Sequence, residues 1–201
     1  MNQSLPLVWG WITTPLELCS FVLAIITVVL NIKQIHWAWL FSILSSALYG
    51  LVFFDAKLYG DSGLQVVFIL VSVWGWYQWL RHGENQESLA VTRMQTSQRV
   101  LAMFAWIVIF VVLYLLLKLA TDTDVAIADG FLTAGSLLGQ LLLSRKKLEN
   151  WYVWIVVDVM YVGLYLYKGL MLTALLYAIF VILAIAGARA WRAVCKQEQI
   201  S

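Results

Sequence analysis

Seven apolar segments, each close to the length that crosses a lipid bilayer, take up most of this chain. They run over Pro15–Ile32, Trp37–Phe54, Ser62–Leu80, Val100–Leu119, Ile127–Leu143, Asn150–Tyr167 and Leu170–Arg189. The hydrocarbon core of a bilayer is about 30 Å thick, and a helix rising about 1.5 Å per residue needs roughly 20 apolar residues to cross it. No water is present there to bond the backbone, so each segment is expected to be a helix, which satisfies its own polar groups. The expected fold class is therefore an all-α integral membrane protein with seven transmembrane helices and no soluble domain. Composition agrees. Only 12% of the residues are charged, where a soluble domain keeps about a quarter.

The first thirteen residues contain no Lys or Arg, so the basic start of a cleavable signal peptide is not expected. Thr14-Pro15-Leu16-Glu17 reads instead as a helix start, with a cap, a proline at the first helical position and an acid in the first turn. Orientation follows from the basic residues. Lys57, Lys118 and Lys168 fall on the side of the N-terminus, and the other ten Lys and Arg fall on the opposite side. The excess of positive loops marks the cytoplasm, so the N-terminus is expected outside and the C-terminus inside. The formal net charge of +2 hides this asymmetry and gives no reason to expect a nucleic-acid partner. The basic run Ser144–Lys147 reads as a topology signal in contact with anionic lipid. Cys19 and Cys195 fall at opposite membrane faces, too far apart for a disulfide within one chain. His36 and His82 lie in different loops without zinc-site spacing, and no metal or cofactor is expected.

A shift of 112 residues lays the chain on itself without gaps. Trp39 then falls on Trp151, Tyr49 on Tyr161, Gly75 on Gly187, Trp79 on Trp191, and Glu17 on Asp129. Leucine matches mean little in so apolar a chain, but tryptophan, glycine and acid pairs in one register point to a duplication. Spans 1–3 then correspond to spans 5–7 and cross in the same direction, with span 4 as a connector. Parallel repeats of this kind are a transporter design, with the substrate near the midplane between the repeats.

A helix turns 100° per residue, so positions spaced by three, seven and ten share a face. Such faces carry polar residues in several spans. Span 6 presents Trp151, Trp154, Asp158, Tyr161 and Tyr165, and span 5 presents Asp129, Thr133, Ser136 and Gln140. Span 1 presents Glu17, Ser20, Thr27 and Asn31; span 3 presents Gln65, Ser72, Trp76 and Trp79; span 7 presents Thr173, Tyr177 and Phe180. An acid near a helix centre costs about 2.5–3.5 kcal/mol on insertion scales, so Asp158 must face protein or water. Two readings stand: a structural hydrogen bond to a neighbouring helix, or part of a binding site shared with Trp154. The repeat adds an asymmetry, because Ser42 and Ser46 occupy the positions of Trp154 and Asp158 in the first half. A ring and an acid in one half, facing small hydroxyls in the other, suit a flat, polar, cationic ring. Glu17 and Asp129 begin spans 1 and 5, either as helix-dipole partners or as gate residues. Trp151, Trp79 and Trp191 also fit interface belts.

The run DGFLTAGSLLGQLLLSRKKLENWYVWIVVDVMYVGLYLYKG with TALLYAIFVILAIAGARAW resembles the PnuC family of bacterial vitamin transporters, and YGLVFFDAKLYGDSGLQ with GWYQWL resembles its first half. The similarity covers residues 16–192. It implies a seven-helix 3+1+3 fold like that of SWEET sugar transporters, with 1–99 as the first three-helix bundle and its cytoplasmic loop, 100–126 as a linker helix, and 127–201 as the second bundle and cytoplasmic tail. It also implies a homotrimer in the bacterial inner membrane that takes up nicotinamide riboside by facilitated diffusion, with cytoplasmic phosphorylation trapping the product. The family's W-x-x-W element, which contacts substrate, corresponds to Trp151 and Trp154, with Gln65, Gln140 and Asp158 completing the pocket and Thr133, Ser136, Tyr161, Tyr177 and Asn31 as further candidates. The proline-glutamine motif of SWEET-like proteins is absent, Asn31-Ile32-Lys33-Gln34 standing in its place. Branches of the family carry thiamine or riboflavin, and the residues do not choose among these vitamins. An intramembrane enzyme is the rival of another class, but no nucleophile–base pair, paired carboxylate or metal cluster is legible. A receptor that binds without transporting is a third reading.

Overall fold

The computed structural model describes residues 5–6, 12–13, 15–55, 59–80, 89–120, 125–167, 169 and 171–197. Thr14, Lys57, Arg81, His82 and Lys168, used above for capping, topology and metal arguments, lie outside these, as does the side chain of Glu17. Seven α-helices occur among the described residues. They are α1 (Pro15–Ile32), α2 (Ala38–Asp55), α3 (Tyr59–Leu80), α4 (Thr96–Ala120), α5 (Ala126–Ser144), α6 (Asn150–Tyr167) and α7 (Met171–Gln197). Ahead of them β1 (Leu5–Pro6) and β2 (Ile12–Thr13) pair antiparallel. By length and composition α3, α4, α5 and α7 can each cross a membrane.

Each expected span is a helix, and the two largest differences in bounds have local causes. At the start of α4, before Val100, the Gln98 side chain reaches back to accept the Gln95 backbone N–H at 3.0 Å, a capping arrangement that lets helix begin in polar sequence. At the other end of the chain, α7 runs past Arg189 to Gln197. The apolar pattern stops where the bilayer is expected to stop, but Ala, Trp, Arg and Lys are adequate helix formers in water.

Contacts divide the chain into two compact units, 1–89 and 90–201. In the first, α2 packs against both α1 and α3. In the second, α4 packs on α5, α5 on α6, and α6 on α7. This order is consistent with the 3+1+3 grouping, and it fastens α4 to the second unit. No residue of α4 is fully buried, and many of its large apolar side chains, among them Val100, Phe104, Ile107, Val112, Leu116 and Leu119, stand exposed. Apolar exposure on that scale suits lipid rather than water.

The 112-residue repeat reappears as side-chain geometry. In the first unit Trp39, 1% exposed, lies on Gly75 and meets Trp79 edge-on at 5.5 Å and 89°. In the second, Trp151, 2% exposed, lies on Gly187 and meets Trp191 at 5.5 Å and 90°. A Cβ on Gly75 would stand 2.5 Å from Trp39, and one on Gly187 would stand 2.6 Å from Trp151. Glycine is therefore required at both positions if the indoles are to reach the facing helix. The backbone repeats too. α1 ends with Ile35 N–H bonding Leu30 O at 2.9 Å around Gln34, whose φ is 57°. α5 ends with Lys147 N–H bonding Leu142 O at 2.9 Å around Lys146, whose φ is 47°. These are Schellman turns, and both place a residue with a side chain where glycine is favoured.

A short strap precedes α4. Thr92 bridges Lys147 in parallel register, its carbonyl accepts Leu148 N–H at 2.9 Å, and Lys147 Nζ donates to its hydroxyl at 2.9 Å. Glu149 accepts Met94 N–H and the Arg99 guanidinium, each at 3.0 Å. Cys195 Sγ donates to Val91 O at 3.3 Å, while Cys19 is a free, exposed thiol. The basic run Ser144–Lys147 is accordingly partly structural: Lys146 is buried in the turn and Lys147 holds the strap.

Candidate substrate site

The site is built where α5 and α6 approach closely in the second unit. α5 carries Gly135 and Gly139, one turn apart on one face. A Cβ on Gly135 would fall 2.6 Å from Val157 of α6 and 2.5 Å from Trp106 of α4. A Cβ on Gly139 would fall 2.9 Å from Trp154 Cε2. Small residues four apart let helix backbones pack closely in a membrane, where dispersion and hydrogen bonds replace the hydrophobic effect as glue. Trp106 is further held by donating its Nε1–H to Phe131 O at 3.0 Å and stacking on the Phe131 ring at 5.0 Å.

Along α6 from Trp154, successive turns bring up Asp158 and Tyr161. Asp158 is 2% exposed, and its Oδ1 has no hydrogen-bond partner among the described residues. Tyr161 is buried, with its hydroxyl in interaction range of the Ser136 and Thr133 side chains of α5, and with Asp129 and Asp158 close enough to act on it electrostatically. Ser136 donates its own proton to Leu132 O at 2.9 Å, which leaves its oxygen as an acceptor toward Tyr161. The Tyr161 ring stacks on Tyr165 at 5.5 Å and 14° and contacts Tyr177 of α7 at 4.6 Å. Tyr177 in turn meets Phe180 edge-on at 5.5 Å. An acid, three hydroxyls and a run of aromatic faces are thus gathered from three helices of one unit.

The sequence-expected residues divide as follows. Thr133, Ser136, Asp158, Tyr161 and Tyr177 join this cluster, with Asp129 at its α5 end and Trp154 at its α6 end. Gln140, 8% exposed, follows Gly139 directly on α5. Trp151 lies in the ring clamp with Gly187 and Trp191, and its Nε1 has no hydrogen-bond partner among the described residues. Its counterpart Trp39 shows the same buried, unpartnered Nε1. Asn31 and Gln65 belong to the first unit. Asn31 lies in the last turn of α1, is buried, and has an Oδ1 without a partner among the described residues. Gln65 on α3 is half-buried against Gly50 of α2. At the Trp154 position of this unit Ser42 instead shares a 2.9 Å hydrogen bond with Ser72 of α3. The residues missed in the sequence are Gly135, Gly139 and Trp106. The small-xxx-small spacing of Gly135 and Gly139 was the available signal.

Apolar helices in series, with an acid and hydroxyls buried among them, fit a multi-pass membrane transporter, and similarity to known proteins assigns that class. Residues 14–193 match the family described as nicotinamide mononucleotide transporter, and the chain belongs to that family, the PnuC family of the resemblance above. It is 25% identical over 178 residues to the nicotinamide riboside transporter PnuC of Escherichia coli (strain K12), covering 76% of this chain and 74% of that one. It is 30% identical over 184 residues to the riboflavin/roseoflavin transporter RibM of Streptomyces davaonensis, covering 87% of this chain and 83% of that one. The crystal structure of the vitamin B3 transporter PnuC matches in fold, with a TM-score of 0.76 at 24% identity over 90% of this chain and 82% of that one.

Proposed function

We propose that this protein carries nicotinamide riboside across the bacterial inner membrane by facilitated diffusion, with phosphorylation in the cytoplasm trapping the imported riboside. The observation that carries the reading is the buried Asp158 carboxylate, whose Oδ1 lacks a partner among the described residues and which stands beside Trp154 and the tyrosine cluster. Buried polar atoms are nearly always bonded, so one left open inside a polar, aromatic surrounding asks for a ligand. A cationic pyridinium ring meets that need: a cation over an aromatic face gains about 0.5–2 kcal/mol, and the carboxylate adds attraction in a medium of low dielectric. Within the second unit Thr133, Ser136 and Gln140 supply groups for ribose hydroxyls and the amide, and Asp129 stands as a gate candidate. The carrier acts as a homotrimer, N-terminus outside and C-terminus in the cytoplasm, and does no covalent chemistry on its cargo.

The second reading is a riboflavin carrier, favoured by the 30% identity to the riboflavin/roseoflavin transporter; thiamine, another cationic aromatic, is the remaining choice. Binding of the purified protein to nicotinamide riboside, thiamine and riboflavin, measured side by side, separates them. Nicotinamide riboside is expected to bind tightest, and Trp154→Ala to abolish its binding with expression and oligomer size unchanged. Tighter binding of riboflavin would replace the first reading by the second, and chemically altered vitamin recovered from vesicles would favour an enzyme.

A further inference from the structure

We infer that Gly139 is a positioning residue, whose missing side chain seats the Trp154 indole against the α5 backbone and so sets the plane of the aromatic wall. As a statement about substrate this rests on the function proposed above; as a statement about the Trp154 ring it stands alone.

Glycine in the middle of a helix is unfavourable, so its presence wants a cause in packing. At Gly63 and Gly163 no atom lies within 4 Å of where a Cβ would stand. At Gly139 the same test finds Trp154 Cε2 at 2.9 Å, Nε1 at 3.1 Å and Cδ2 at 3.3 Å. These atoms lie in the rigid bicycle, not at the end of a flexible chain, so a methyl group here has to tip or slide the whole ring. The repeat provides an internal control. The first-unit counterparts of Gly139 and Trp154 are Thr27 and Ser42. Thr27 keeps its Cβ and donates its hydroxyl to Leu23 O at 2.9 Å, and Ser42 is small enough to bond Ser72 at 2.9 Å. Where the ring is absent, so is the glycine. Gln140 adjoins Gly139, and Asp158 lies one turn along α6 from Trp154, so a tilted indole changes the relation between wall, amide and acid together.

The test is a double-mutant cycle on the full-length protein. Gly139→Ala, Trp154→Phe and their combination are compared by calorimetric binding of nicotinamide riboside and by thermal unfolding, with Gly163→Ala as the control for what a methyl group contributes at an open mid-helix position. In the wild-type background the methyl group is expected to weaken binding about ten-fold and to lower the melting temperature. In the Trp154→Phe background, with the smaller ring, it is expected to leave binding unchanged and to shift melting only as the methyl group at Gly163 does. Gly139→Ala that binds and melts like wild type overturns the inference, as does a methyl effect of equal size in both backgrounds. If Gly139→Ala alone does not assemble, recovery in the double variant supports the inference and failure to recover overturns it. Absence of binding by the wild type would sink the proposed function, while the melting cycle still decides the ring contact.

Discussion

The two units share a frame and differ in what they hang on it. Both have the Trp–Gly–Trp clamp between their last two helices, and both close the turn after their first repeat helix with a left-handed residue, Gln34 in one and Lys146 in the other. Inside that frame the first unit is filled by short hydroxyls. Ser42 bonds Ser72, and Ser45 donates to Ser20 O at 3.2 Å. The second replaces these with bulk: Leu132 and Val157, the counterparts of Ser20 and Ser45, pack together in an apolar cluster, and Trp154 stands where Ser42 stood. Only the second places an acid, Asp158, at the position of Ser46. The clamp positions have thus kept their residue types across the repeat, while Trp154 and Asp158 differ from Ser42 and Ser46, although Tyr161 in the same cluster keeps the tyrosine of Tyr49.

The comparison can be broken most sharply at the clamps. Trp39→Ala and Trp151→Ala each remove a buried indole and are expected to cost about 3–5 kcal/mol of stability, read as similar losses of melting temperature in detergent. If Trp151→Ala left the melt unchanged while removing riboside binding, Trp151 would belong to the site and the two clamps would not be equivalent. A smaller effect is expected where the units differ. Asp158→Asn keeps the shape and removes the charge, and should weaken nicotinamide riboside about ten-fold, or about 1.4 kcal/mol, with less effect on uncharged riboflavin. Ser46→Ala at the matching position should move riboside affinity far less; equal losses at both positions would mean that charge is not what separates the halves. The smallest effect belongs to the shared frame. Gln34→Gly removes a Cβ from a left-handed residue and should stabilise by up to about 1 kcal/mol. A loss of stability on that change would show that the side-chain contacts of Gln34 outweigh its backbone strain.

Much of this was legible beforehand. Long apolar runs located the helices because bilayer thickness sets their length, and Trp39, Trp151, Gly75 and Gly187 declared themselves because rare residues in one register are hard to produce by chance. The face of α6 carrying Asp158 and Tyr161 followed from 100° periodicity, and it does meet Thr133 and Ser136 of α5. Gly139 was not legible by the same means. Periodicity sorts side chains onto faces; the spacing of Gly135 and Gly139 marks a close helix approach, but not which ring rests there. The strap at Thr92 was hidden for another reason: a few residues held by backbone bonds to a turn have neither length nor period.

The clamps have a mechanical corollary. Within each unit the last two helices, α2–α3 and α6–α7, are joined by chain at one end and wedged by indoles near the other. A pair tethered at both extremities resists splaying, much as a ladder keeps its shape once the top and bottom rungs are in. In the second unit the α5–α6 seam carries its indole, Trp154 on Gly139, near the turn rather than at the far end, and beyond it Tyr161 meets Thr133 and Ser136. The clamps thus brace α6 against α7 at the end away from their connection, and leave the face of α6 toward α5 to the acid, the hydroxyls and the indole wall.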